Sequence, residues 1–352
     1  MKATAKTQRA AVYYRNLDVR IEERPVPGIG PGELLVKVRA SGICGSDVLE
    51  WYRMKKAPIV LGHEVAGEIV AVGEGVTRYA RGQRIAFNHH VPCNTCHWCL
   101  AGKHTACETL HTTKFDPGGF CEYVRIYVRI PALQVDRGIY PLPDGVTFEE
   151  GSFVEPLACV VRGQRSAALR PGQSVAVLGA GISGVLHIAL AKALGAGRIV
   201  ATDITPHRIG FAKQFGADAV CDARDDVPAF VRDALGRPAD LVVVCAGALA
   251  AFEQALACVD RGGTVLCFAT TDPGVALSVP LNDFWRNDIT LKPSYGNSPY
   301  DASVAVELIA ARRVPVADMI THRLPLEETP KGFELMSTPG GEQLKVVILP
   351  HG

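Results

Sequence analysis

Residues 174–203 read Ser174-Val175-Ala176-Val177-Leu178-Gly179-Ala180-Gly181-Ile182-Ser183-Gly184-Val185-Leu186-His187-Ile188-Ala189-Leu190-Ala191-Lys192-Ala193-Leu194-Gly195-Ala196-Gly197-Arg198-Ile199-Val200-Ala201-Thr202-Asp203. The opening five residues are the short apolar run of a strand buried on both faces. Ile182, Val185, Leu186, Ala189, Leu190, Ala193 and Leu194 then recur at helical spacing as far as Gly195. A second strand follows and ends on an acid, Asp203. Between the first strand and the helix lies G-x-G-x-x-G. Gly179 permits a tight turn, Gly181 lets backbone approach a pyrophosphate, and Gly184 lets the helix pack on the strand. The helix start, at Ile182 and Ser183, offers unpaired N–H groups and partial positive charge to phosphates. A glycine-rich turn alone is a weak signal. Set between strand and helix, with Asp203 some twenty residues on, it marks a dinucleotide site. Asp203 can accept from both ribose hydroxyls and its charge repels a 2′-phosphate, which favours NAD over NADP. Arg208, a further candidate on the cofactor side, could be argued the other way and reads as a solvated helix residue. His187 reads as a residue of a packed helix.

Downstream, strand-like runs at residues 219–221, 241–245, 264–268 and 289–291 alternate with helical stretches at 208–215, 227–235 and 250–259. This alternation predicts an α/β domain with a doubly wound parallel sheet covered on both faces. Cys221, Cys245, Cys258 and Cys267 lie in apolar runs without ligand spacing and read as small core residues. A helix at 302–312 and a strand at 345–349 close the chain.

Upstream, to about Asp136, the pattern is different. Leu17, Val19 and Ile21 alternate with polar residues, and so do Val124, Ile126, Val128 and Ile130. Short apolar runs at 34–38, 68–72 and 84–87 are punctuated by Gly and Pro, which predicts a β-rich domain. Within it, Cys93-x2-Cys96-x2-Cys99-x7-Cys107 packs four thiols into fifteen residues. That spacing predicts a closed four-thiolate zinc site, which stabilises a loop and has no open position for chemistry. His97, His104 and His111 lie nearby and read as solvated loop residues. Earlier still, Cys44-Gly45-Ser46-Asp47 and Gly62-His63-Glu64 carry donors suited to a borderline-soft metal, and Asp47 can orient the histidine's other ring nitrogen. Alone, that stretch fits equally a buried Cys and a core His that never meet.

Bulk properties set the boundaries. The 352 residues suit two domains, and a net charge of +1 suggests neither nucleic acid nor an acidic membrane surface as partner. The first ten residues lack the apolar core of a signal peptide, and the most apolar window, 175–197, carries Lys192, His187 and several glycines rather than a membrane span. Eleven cysteines then point to a reducing compartment, expected to be cytoplasmic, with thiols as metal ligands.

A metal stretch, a four-cysteine loop and a dinucleotide turn in this order resemble the zinc-dependent medium-chain dehydrogenase/reductase family. The resemblance covers nearly the whole chain. It implies a GroES-like catalytic domain over residues 1–157, to which 294–352 return, and a Rossmann NAD-binding domain over 158–293. It implies a catalytic zinc on Cys44 and His63, with Asp47 behind His63, a proton relay starting at Ser46, and a structural zinc on Cys93, Cys96, Cys99 and Cys107. Where ordinary alcohol dehydrogenases of the family place a third cysteine, this chain has Glu155. That resembles the polyol (sorbitol-type) branch and its relatives acting on threonine, butanediol or sugars. In that branch Glu64 can bind zinc directly while Glu155 holds the zinc-bound water. Two departures stand out: Leu49 where the polyol enzymes have His, and Ser294 where they often have Arg. Trp51, Tyr52 and Phe115 could shape a pocket. The implied activity is oxidation of a secondary alcohol of a polyol, sugar or related substrate to a ketone by NAD. Alternatives on the same scaffold are threonine, butanediol or an aminocyclitol as substrate; a non-enzymatic NAD-binding protein would be expected to have a broken metal triad. A homodimer or homotetramer is implied, with edge strands of the nucleotide sheet as the contact.

Overall fold

Residues 6–127, 138–338 and 340–352 are described by the computed structural model. The chain lays down strands at Thr7–Arg15 (β1), Asp18–Pro25 (β2), Glu33–Gly42 (β3), Ile59–Val60 (β4), Glu64–Val72 (β5), Arg84–Phe87 (β6), Tyr123–Tyr127 (β7) and Ile139–Pro141 (β8). It continues with Val175–Leu178 (β9), Ile199–Asp203 (β10), Ala219–Asp222 (β11), Ala239–Val244 (β12), Val259–Cys267 (β13) and Thr290–Pro293 (β14). Ile320–Pro325 (β15) and Lys345–Leu349 (β16) close it. Of the alternating run read from the sequence, Val128 and Ile130 lie outside the described residues, as does Asp136.

Two units form. One comprises Met1–Ala158, Asn297–Arg312 and Val316–Gly352; the other comprises Cys159–Gly296 and Arg313–Pro315. In the first, a sheet runs β15-β16-β3-β5-β6-β8 with β7 also on β3, and β2-β1-β4 form a smaller sheet. Alternation along the strands buries Val36, Val38, Ile69, Ile85, Phe87 and Val124 in one cluster. A second cluster holds Tyr13, Ile43, Leu61, Phe120, Phe333, Val346 and Ile348. β16 therefore shares a core with strands some three hundred residues earlier. Its register on β3 sets Val347 opposite Gly42, and on the other side of β3 Glu64 stands opposite the same Gly42.

The second unit is the doubly wound α/β layer expected from the sequence. Its sheet runs β11-β10-β9-β12-β13-β14, with every described pairing parallel. Period-two alternation sends Ala176, Leu178, Val242 and Val244 to one face and Val175, Val177, Leu241 and Val243 to the other. The helix Ile182–Ala193 follows β9 directly. Strand order reverses between β9 and β12, and in open sheets of this kind ligands sit at the carboxyl ends beside such a reversal.

Several elements were not read from the sequence. β1 is one, because Thr7 to Ala10 look polar; yet Gln8 is buried, with Oε1 accepting from Tyr123 N at 2.7 Å. The helix Val154–Ser166 is another: Pro156 falls in its first turn, where a proline costs no hydrogen bond. No helix among the described residues is long and apolar enough to cross a membrane.

Candidate metal centre and dinucleotide turn

Cys44 follows the end of β3 and caps the short 3-10 turn Gly45–Val48. Its Sγ accepts from Ser46 N and from Ser46 Oγ, both at 3.4 Å, while Cys44 N donates to Asp47 Oδ2 at 3.1 Å. The turn thus aims the sulfur and the Asp47 carboxylate inward together. His63 directly precedes β5, so the alternation of a strand does not yet apply to it, and both it and Glu64 can face the same point. Cys44, His63 and Glu64 each bring one ligand atom to within 4.8 Å of the others. His63 Nδ1 donates to Asp47 Oδ1 at 3.3 Å, which leaves Nε2 as the nitrogen with a free lone pair.

The charges agree with this geometry. Burial alone would lower the His63 pKa, but Asp47 and Cys44 raise it well above the usual value. Burial would raise that of Asp47, but His63 and Arg53 bring it below the usual carboxylate range. A field that favours positive charge on His63 also favours a dication beside it. Thiolate, imidazole and carboxylate are zinc donors, and three of them leave a fourth position open. The residues present fit the ion.

Arg53 was not singled out from the sequence. Its guanidinium donates to Ser46 O at 2.9 Å, Ser46 Oγ at 2.9 Å and Asp47 Oδ1 at 3.0 Å. Lys345 was missed as well: it is wholly buried, and its Nζ donates to Glu64 Oε2 and, at 3.2 Å, to Ile43 O. Nor did spacing indicate His89, whose ring lies 4.7 Å from that of His63, with His90 stacked 3.7 Å behind it. Burial pushes His89 well below the usual imidazole range and His90 down to about 3, so both are neutral.

Glu155 lies outside the three-residue cluster. It is buried and accepts from Asn297 Nδ2 at 3.4 Å, and Asn88 Nδ2 donates to Asn297 Oδ1 at 2.8 Å. Leu49 is 38% exposed, and Trp51 and Tyr52 pack on one another beneath Lys55 and Lys56. Phe115 is a core residue, edge-on to Phe87 at 5.0 Å.

The sulfurs of Cys93, Cys96, Cys99 and Cys107 converge within 4.8 Å, and Cys93 Sγ lies 4.0 Å from Cys99 Sγ. That is twice a disulfide length and close to the edge of about 3.8 Å that a ZnS4 tetrahedron with 2.3 Å bonds requires. Cys96 N donates to Cys93 Sγ at 3.2 Å and Cys93 N to Cys107 Sγ at 3.4 Å. Cys93 is drawn below the usual thiol range, where hydrogen bonds from Thr95 and Cys96 outweigh burial, whereas burial and its sulfur neighbours push Cys99 up. Without a cation these sulfurs cannot all ionise together; with one they can, so the set fits zinc. Of the neighbouring histidines, His97 and His111 are exposed and His104 is half-buried.

In the second unit, Gly179 takes φ +98°, a conformation L side chains rarely adopt. A Cβ on Gly184 would meet Gly179 O at 1.9 Å, so helix and strand touch there as only glycine allows. A Cβ on Gly181 meets nothing within 4 Å, which leaves that face of the turn open above the helix start at Ile182 and Ser183. Asp203 is buried; its Oδ2 accepts from Ala180 N at 2.8 Å and its Oδ1 from Thr205 N at 2.9 Å. The acid thus ties the glycine turn to the end of β10, and each oxygen keeps one lone pair for a ligand. Arg208 is half-buried with its Nε shielded and unpartnered, so it is not the freely solvated residue its sequence position suggested. His187 is fully buried against Phe268, with Nδ1 3.2 Å from Gln164 Nε2.

Comparison with known proteins gives this architecture a family. Residues 30–135 match the alcohol dehydrogenase GroES-like domain and residues 183–311 the zinc-binding dehydrogenase domain. Sorbitol dehydrogenase of Gallus gallus is 33% identical over 351 residues, covering 96% of this chain and 95% of that protein. Alcohol dehydrogenase TADH from Thermus sp. ATN1 superposes with a TM-score of 0.85 at 31% identity, over 97% of this chain and 99% of that one. A zinc-binding dehydrogenase from Sinorhizobium meliloti 1021, solved with NADP, gives a TM-score of 0.87 at 28% identity over 98% and 100%.

Proposed function

We propose that this chain, a member of the zinc-binding alcohol dehydrogenase family, oxidises a secondary alcohol of a polyol, sugar or related hydroxylated substrate to a ketone and passes the hydride to NAD. The observation that carries this reading is the convergence of Cys44, His63 and Glu64 beside the hydroxyl of Ser46. A zinc ion held there would supply Lewis acidity, stabilising negative charge on the alcohol oxygen. Asp47 holds Nδ1 of His63, so that Nε2 would be the nitrogen left to bind the ion. Arg53 fills one acceptor position of Ser46 Oγ, leaving the other to take the alcohol proton. As Ser46 accepts that proton, its own swings from Cys44 Sγ and passes to water or to a ribose hydroxyl, because Leu49 offers no titratable group for a longer relay. The carbon-bound hydrogen leaves with its electron pair for the nicotinamide, and ketone, NADH and one proton result. Glu155, steadied by Asn297, serves to hold water or a substrate hydroxyl near the metal. Cys93, Cys96, Cys99 and Cys107 hold a second zinc that orders their loop.

NAD rather than NADP rests on Asp203, whose carboxylate stands at the end of β10. The NADP in the Sinorhizobium relative makes that preference a point to measure. Homo-oligomerisation through the sheet edge is supported by β14, an edge strand with Leu291 exposed, and by Leu281 and Trp285, both 76% exposed on the adjoining helix. Four thiols arranged for a metal suit a reducing compartment, and we assign the cytoplasm. The direct test is NAD and NADP reduction with a panel of polyols, sugars, butanediol, threonine and aminocyclitols. Turnover of vicinal hydroxylated substrates with NAD is expected. Zinc-loaded protein that binds NAD and turns over none of them would sink the reading.

A further inference from the structure

Lys345 is the most deeply buried lysine among the described residues. Lysine is almost never fully buried unless paired, and here the side chain is 0% exposed and the carboxylate it meets, Glu64, is 1% exposed. The register explains how they meet. Gly42 on β3 stands between Val347 of β16 and Glu64 of β5. Lys345 is two residues from Val347 and so shares its face, diagonal to Gly42. A Cβ on Gly42 would meet Glu64 Oε2, Lys345 Cε and Lys345 Nζ, all within 2.8 Å. The missing side chain of Gly42 is therefore the passage through which Lys345 reaches Glu64. A second hydrogen bond, to Ile43 O at 3.2 Å, fixes the ammonium there, and the Phe153 ring lies 5.5 Å from it.

Glu64 is thus drawn on from two sides, since it also belongs to the cluster with Cys44 and His63. We propose that Lys345 is a positioning residue that holds Oε2 of Glu64, competes with the metal for that carboxylate, and keeps Glu64 a weak ligand. Two effects act in the same direction. The ammonium draws electron density from the carboxylate, and its charge repels a dication that shares the carboxylate. Thiolate and carboxylate together would cancel a dication's charge; the lysine restores one positive charge to the site and so preserves its pull on an alcohol oxygen.

The inference rests on the reading of Cys44, His63 and Glu64 as a metal site, and one experiment separates the two. Zinc release to a chromogenic chelator is followed for the full-length zinc-loaded protein, with zinc content by mass spectrometry. The four-thiolate ion serves as an internal reference. Cys44→Ser should lack one ion of two; if it keeps both, the metal-site reading itself fails. Lys345→Met should release that ion about tenfold or more slowly, since relief of the ammonium–dication repulsion exceeds the ~1.4 kcal/mol that a tenfold change needs, with the reference ion unchanged. The slowing should be smaller in Lys345→Met/Glu64→Gln, measured against Glu64→Gln alone, because only the direct charge repulsion is then left to relieve. Lys345→Gln, which keeps a neutral donor, should fall between, and stands in for Lys345→Met if the latter does not fold. Release in a folded Lys345 variant that is unchanged or faster overturns the proposal, as does a slowing of undiminished size without the Glu64 carboxylate.

Discussion

Gly184→Ala tests the dinucleotide turn at the point where its geometry is tightest. The added Cβ would lie 1.9 Å from Gly179 O and 2.9 Å from Gly179 C. A carbon–oxygen contact relaxes to roughly 3.3 Å, so the helix start must retreat by roughly 1.4 Å from the strand. Its first N–H groups then leave hydrogen-bond range of a pyrophosphate seated on the native turn. Losing one hydrogen bond to a charged group costs about 1.5–3 kcal/mol, or roughly 10- to 150-fold in Kd. The overpacking itself costs about 1–3 kcal/mol of stability. Gly181→Ala is the matched control, because its Cβ meets no protein atom within 4 Å and its φ of −66° suits any residue. That variant should keep its Tm yet weaken NAD, whose pyrophosphate approaches there. Calorimetric NAD titration and thermal melts of both proteins decide the matter. Wild-type affinity in Gly184→Ala, or an equal loss of Tm in both variants, would mean that the helix start does not seat the pyrophosphate on this turn.

Three further outcomes are expected. Burial pushes His187 down to about 3, while an unfolded histidine titrates near ~6.5. The unfolded chain therefore binds the extra proton, and this contribution is complete above ~6.5 and lost as pH falls towards 3. Between pH ~7.5 and ~5 wild type should lose about 2 kcal/mol more than His187→Gln in urea unfolding; equal losses would show that His187 is not held neutral. Cys99→Ser should bind one zinc fewer and lose at least ~3 kcal/mol, a Tm drop of roughly 6–12 °C in the first unit. An unchanged Tm with zinc lost would mean the loop does not depend on the ion. Asp203→Ala strips the acceptor from Ala180 N and Thr205 N, each worth about 1–3 kcal/mol when left unpaired. It should lower Tm and cut the NAD-over-NADP ratio of kcat/KM by about tenfold or more, read from initial rates; an unchanged ratio would remove Asp203 from coenzyme choice.

What could be read from the sequence was whatever is local. The strand, glycine turn and helix of residues 174–203 are fixed by neighbours, and so is the four-cysteine loop. Register across strands is not local, and the residues missed are those that register brings together. Lys345 looks like the polar first residue of a strand until β16 is set against Gly42. Asn88 looks like a loop residue until its amide meets Asn297. Glu64 and Glu155 were equivalent candidates in the sequence, because nothing in a linear pattern says which carboxylate turns towards Cys44. The start of β5 turns Glu64 there, while Glu155, hydrogen-bonded to Asn297, lies outside that cluster. β1 was overlooked because the polar ends of Thr7–Arg15 mask a middle that is almost wholly buried.

On the proposed function, Cys44, His63 and Glu64 hold the metal on which alcohol oxidation depends. Zinc per chain, measured by mass spectrometry alongside NAD reduction in wild type and His63→Ala, tests it most directly. Wild type should carry two ions and turn over substrate, and the variant should carry one ion, bind NAD normally and turn over about a thousandfold or more slowly. Two ions retained in His63→Ala, or turnover undiminished with one, would contradict it.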